Sequence, residues 1–280
     1  MTAVAPLRAG IGRGLIELRQ AFTGMELVGQ LLWPLATLVA VYFLRDVAIG
    51  GTASSLGTII LPGALGMFVA LGMLLVVQQL AADREDGTLL RAKATPNGIR
   101  AYLVGKLVQI SATILAYVAI ILIPGVVLVD GLEISDPYSW ITFAWVLVLG
   151  LVATQAIGVL LGSVIATPRG AGYLSLPILG LIAISGIFAP ITALPDWLQW
   201  IAQVFPIYWL GLGMRASFLP DDAVVVEIGE SWRQLETAAM LGAWAVVGLV
   251  LAPIVLRRMA RRESGSRVAE RREQAMRRVG

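Results

Sequence analysis

Cysteine and histidine are both absent from the 280-residue chain. Their absence excludes disulfide frameworks, cysteine nucleophiles, imidazole general bases and the commonest transition-metal ligands. Charge is scarce as well: Asp, Glu, Lys and Arg together make up 14% of the residues, where soluble chains carry about 25%. A glycine-rich phosphate loop is also missing. The nearest candidate, Gly105-Lys106, lacks the upstream glycine and the following Ser or Thr that such a loop needs, and it lies inside an apolar run. No catalytic residue, metal site or cofactor site is therefore expected in this chain.

What is present is apolar. Hydrophobic residues reach 58%, and they come in runs of about 18 to 29 residues, where about 20 helical residues cross a bilayer. Six such runs lie at 27–44, 58–80, 101–129, 140–165, 171–190 and 237–256. The expected fold is an all-α integral membrane protein with six transmembrane helices, forming one domain over 1–256, and a basic tail over 257–280. Inside the runs the polar residues are neutral (Thr37, Gln109, Ser111, Thr113, Thr154, Gln155, Ser175), and most should hydrogen-bond across helices. Glu26 sits at the edge of the first run. Gly158 and Gly162, at small-xxx-small spacing, predict close helix packing.

Pro6, Gly10, Gly12 and Gly14 precede any long apolar run, so the start does not read as a signal peptide and the chain is expected to be mature from Met1. Residues 3–23 place Leu7, Ile11, Leu15, Leu18 and Phe22 on one helical stripe. Two readings stand: an amphipathic helix lying in the membrane interface, or a frayed basic tail weakened by its three glycines.

Lys and Arg accumulate in cytoplasmic loops. With the N-terminus inside, 18 of the 21 fall on the cytoplasmic side, Lys106 and nine arginines from Arg257 to Arg278 among them. Only Arg45, Arg215 and Arg233 fall outside. Both ends are thus expected in the cytoplasm of a multi-pass cell-membrane protein, with the tail a solvated segment gripping anionic headgroups or a contact for a cytoplasmic partner. Trp140, Trp197, Trp200, Tyr208, Trp209 and Trp232 sit near the outer ends, where amphipathic rings prefer to lie.

Two stretches carry more information. The inner loop over 83–97 is charged, yet Leu89, Leu90, Ala92 and Ala94 give it a short apolar face, and Thr95-Pro96 ends any helix before the next run. It is either a short docking helix or an ordinary solvated loop. The stretch 185–215 stays apolar and aromatic beyond the fifth run, but Pro195 and Pro206 break it too often for a crossing. A short helix or hairpin re-entering the outer leaflet fits it, provided protein shelters it or it lines a cavity.

Glu85-x-Gly87-Thr88-Leu89 followed by Thr95-Pro96, with Ser185-Gly186, Pro190, Leu194-Pro195-x-Trp197-Leu198, Pro206 and Arg215 ahead of a last span, resembles the permease subunits of type 2 ABC exporters. The daunorubicin-resistance and nodulation-factor permeases are the most similar kind. The resemblance implies an interfacial N-terminal helix, six spans, a coupling helix between the second and third, and short external helices before the sixth. It implies that Glu85, Gly87, Thr88, Leu89, Thr95 and Pro96 serve coupling. Gly186, Pro190, Pro195, Trp197, Pro206 and Arg215 map to the re-entrant segment, whose aromatics include Phe188 and Phe205; it is expected as an outer gate, or else its aromatics only anchor the bundle at the outer interface.

The implied partners are two copies of a separate cytoplasmic ATPase, which binds ATP and Mg, a second permease chain, and membrane lipid; nucleic acid is not among them. The expected function is export of a hydrophobic or amphipathic cargo such as a drug, antibiotic or lipid. An ion-coupled carrier would bury a titratable group at mid-span. A non-transporting polytopic protein, such as an assembly factor or enzyme, is the other alternative.

Overall fold

The computed structural model describes residues 4–47, 55–165, 167–188 and 190–262, and among these no strand occurs. The helices are α1 Val4–Ala21, α2 Gly24–Leu44, α3 Leu56–Glu85, α4 Thr88–Lys93, α5 Gly98–Leu128, α6 Pro137–Val164, α7 Pro168–Ala183, α8 Asp196–Val204, α9 Pro206–Phe218 and α10 Gln234–Arg262. Short polar residues start several of them. Ser55, Asp136 and Thr167 accept from the backbone N–H of Thr58, Tyr138 and Gly170, and Pro137 and Pro168 occupy the first helical positions of α6 and α7.

Among the described residues, α2, α3, α5, α6 and α10 are long and apolar enough to cross a membrane. The fifth apolar run behaves differently. α7 has 16 residues, a rise of about 24 Å, against a hydrocarbon core of roughly 30 Å. The helix gives way to a turn at 184–186, where Gly186 takes φ 77°. Among the described residues there are therefore five helices long and apolar enough to span and one short helix where six runs suggested six spans. Other limits move too: Asp83, Arg84 and Glu85 form the last turn of α3, not a loop. Most of the basic tail, from residue 263 on, lies outside the described residues.

α3 is the hub. It is apolar all round, the composition of a helix buried on every side, and Leu65, Phe68, Val69, Met73, Val76 and Val77 are all in the core. It packs on α2, α5, α6, α7 and α9, and α6 in turn separates it from α10. Gly158 and Gly162 lie in the α3–α6 seam as expected: a Cβ at 158 would stand 2.6 Å from the Met73 carbonyl oxygen.

α1 is a helix, and its glycines have a different meaning from the weakness the sequence suggested. It lies on α5 at backbone contact, where a Cβ at Gly14 would meet the Gly105 carbonyl oxygen at 2.5 Å and one at Gly10 would meet that of Ala101 at 2.6 Å. Only hydrogen fits there. Leu7, Ile11 and Leu15 stay exposed, a face for lipid.

Candidate functional site

The two stretches singled out by sequence lie at opposite ends of the bundle. At one end α3 stops at Glu85 and Gly87 takes the left-handed conformation, φ 78°, so the chain turns at once into α4. Asp86 Oδ1 accepts the Thr88 N–H at 2.8 Å, and Thr95 Oγ1 donates to the Ala92 carbonyl at 3.0 Å, closing both ends of the short helix. Glu85 is half-buried, and Thr95 and Pro96 are exposed in the turn before α5.

One expectation is corrected here. Leu89 and Ala92, read as an apolar face for a partner's groove, are buried inside this chain against Leu80, Tyr102, Leu256, Met259 and Ala260. Of the same apolar face Leu90 is half-buried and Ala94 exposed, and Arg91, Lys93, Thr95 and Pro96 are exposed beside them. Any partner of α4 thus meets mainly cations and a rigid turn, with little apolar surface. The helix is also stitched to its neighbours by Lys93 Nζ, 3.4 Å from the Arg261 carbonyl. Beside it, Arg84 Nη1 donates to the Ile165 carbonyl at the end of α6 at 2.6 Å, a favourable place for a cation.

Behind α4 is an ionic cluster that sequence reasoning missed. Lys106 Nζ, in a residue only 8% exposed, lies 3.0 Å from Asp83 Oδ2 and 3.1 Å from Glu17 Oε2. Tyr102 donates to Asp83 at 2.6 Å, and Arg13 Nε pairs with Glu17 at 2.7 Å. One lysine thereby joins α1, α3 and α5 two residues ahead of Glu85. Burial acts to raise the Glu17 carboxyl, but its hydrogen bonds and charge contacts with Arg13 and Lys106 outweigh that and hold it below the ordinary carboxylate value. The signal in the sequence is a lone lysine between Leu103-Val104-Gly105 and Leu107-Val108, which charge sorting counted only as one more inner cation.

The opposite end is organised by Arg215. It is buried in α9; its Nε lies 2.6 Å from Glu227 Oε1, its Nη2 3.2 Å from Oε2, and its Nη1 donates to the Gly186 carbonyl at 2.7 Å. The fork therefore ties the turn after α7, α9 and the 221–230 loop together. Glu227 is its buried counter-charge. Pro195 and Pro206 divide the stretch as expected: with Pro190, each immediately precedes or begins a short helix. The aromatics divide. Tyr208 and Trp209, expected at the interface, are in the core, and Trp209 Nε1 donates to the Gln203 carbonyl with Arg233 4.6 Å over its ring. Phe188, Trp197 and Trp200 are exposed, and Phe205 is half-buried between α8 and α9.

Apolar helices of this length, packed on one buried hub helix, define a multi-pass membrane protein. The chain belongs to the ABC-2 family of transporters: the ABC-2 family transporter protein description matches residues 40–254, which take in α4, Asp83, Lys106, Arg215 and Glu227 but not α1. No curated protein matches it.

Proposed function

We propose that the chain is the membrane-spanning permease half of an ATP-driven exporter, with the α4 end and both termini in the cytoplasm. A separate ATPase holds ATP and Mg and docks on α4; two permease chains and two ATPase chains form the assembly. The daunorubicin-resistance and nodulation-factor permeases remain the finer likeness, with a hydrophobic or amphipathic cargo.

One observation carries this reading: α4 is seated by Leu89 and Ala92 on the ends of α3, α5 and α10. Packed interiors transmit displacement because they have no slack, so a push on α4 moves three membrane helices together. The angle of α4 is set at Gly87. A branched side chain in the left-handed region costs about 1–2 kcal/mol, whereas Asn tolerates it. Gly87→Val should lower cargo moved per ATP hydrolysed by about tenfold, and Gly87→Asn should retain most of it, with membrane levels equal. Equal coupling in both variants would refute the reading, as would labelling of a cysteine at Thr95 from outside the cell.

The cargo pathway in this proposal runs between the two permease chains, with 186–210 as its outer gate. Support comes from α8, whose Trp197, Trp200, Ile201 and Val204 are exposed, as is Phe188. If these rings only anchor the bundle at the interface, they face lipid. Because the chain has no cysteine, single cysteines at Phe188, Trp197 and Trp200 distinguish the two cases. At least one should cross-link two permease chains in native membranes and stop transport when bridged; failure at all three removes the gate.

A further inference from the structure

We infer that the α4 end carries a specific site for the anionic headgroup of a membrane phospholipid. The site is a cleft of about 390 Å³ between the α4–α5 turn and the carboxyl end of α10. Lys93, Arg100, Arg257 and Arg261 line it, with Thr95 and Asn97 adding a hydroxyl and an amide, and no described acidic residue does. Arg100, Arg257 and Arg261 form no ion pair with any described residue. This contrasts with the same end of the bundle a few residues away, where Arg13 and Lys106 are both matched by carboxylates. Like charges gathered in one cleft repel unless an anion lies among them.

The depth of the cleft selects a lipid over a soluble anion or an acidic protein surface. On α10 the exposed apolar residues Leu249, Val250, Leu251 and Ile254 end at Arg257, and Arg100 stands in the first turn of α5, at the start of its apolar span. The cations therefore stand where α5 and α10 leave hydrocarbon, the level of the phosphates. Val250, Ile254, Arg257 and Arg261 fall on one stripe of α10 at three- and four-residue spacing, and Val250 and Ile254 are exposed apolar side chains. The stripe is amphipathic along its length. It offers guanidinium forks to two phosphate oxygens and, deeper in, a track for an acyl chain.

A phospholipid held there bridges the turn after α4 to α10. The inference takes from the proposed function only which leaflet supplies the lipid; binding itself does not depend on it.

The test uses the full chain purified from nanodiscs of phosphatidylcholine with increasing phosphatidylglycerol, retained lipid being read by native mass spectrometry. Phosphatidylglycerol should be retained selectively. Each cation near an anionic surface contributes about 1 kcal/mol, so Arg100→Gln/Arg257→Gln/Arg261→Gln should lower that selectivity on the order of a hundredfold. Each single variant should lose about fivefold, which keeps the test intact if the triple variant misfolds. Deleting 263–280 should leave the selectivity unchanged.

Undiminished selectivity in the single and triple variants overturns the site. So does its loss on deleting the tail, its displacement by millimolar inorganic phosphate, or its displacement by the ATPase partner. If the lipid binds but a cysteine at Thr95 labels from outside, the site stands and the proposed orientation falls.

Discussion

An Arg215→Met variant is expected to be less stable than the natural chain by about 3–5 kcal/mol, the loss seen when one partner of a buried ion pair is removed. The side chains of Arg215 and Glu227 are 3% and 1% exposed, so the carboxylate left behind reaches neither water nor another described cation within pairing distance. The Gly186 carbonyl loses its donor in the same step. Thermal unfolding of the purified protein in nanodiscs measures the effect. Arg215→Met/Glu227→Leu should recover much of the loss, because a buried pair replaced whole by apolar groups is often neutral. Equal stability of the single variant and the natural chain would mean that the 221–230 loop does not close over Arg215 in the membrane.

Lys106→Met should have the next largest effect, about 2 kcal/mol, because it leaves Asp83 and Glu17 facing each other with no cation between them. Acid should act on the same cluster in the natural chain. The folded-state value of Glu17 lies below the ordinary 4.5, so its stabilisation is present in full above about that pH and is lost as pH falls through the lowered value. Unfolding midpoints measured from pH 6 downward should therefore decline below about 4.5 in the natural chain. In Lys106→Met, where Arg13 alone remains against Glu17, the decline should be shallower. Parallel curves for the two proteins would show that Lys106 does not hold the Glu17 charge.

The membrane helices were legible because a bilayer imposes a length on every apolar run, and α2, α3, α5, α6 and α10 all report it. The shortness of α7 was not, since Ser185-Gly186 is too small and neutral to interrupt an apolar count, yet a positive φ there ends the helix. The ionic contacts were invisible for another reason. Lys106 and Glu17 are 89 residues apart, beyond any periodicity, and the close approach of α1 to α5 at Gly10 and Gly14 brings them together. Seeing Leu89 and Ala92 as apolar was sound; nothing local says which of two hydrophobic surfaces, the chain's own or a partner's, they cover.

The partners of Lys106 precede it in the chain, and this has a consequence for biosynthesis. Asp83 and Glu17 have both left the ribosome before α5 enters the translocon, so the lysine finds its counter-charges waiting and need never enter lipid as a bare cation. Arg215 has no such arrangement. Its carboxylate follows 12 residues later, and the nascent chain must wait for that stretch to emerge before the Arg215 end can fold shut. The α4 end of the bundle can thus assemble during synthesis, and the Arg215 end is completed afterwards.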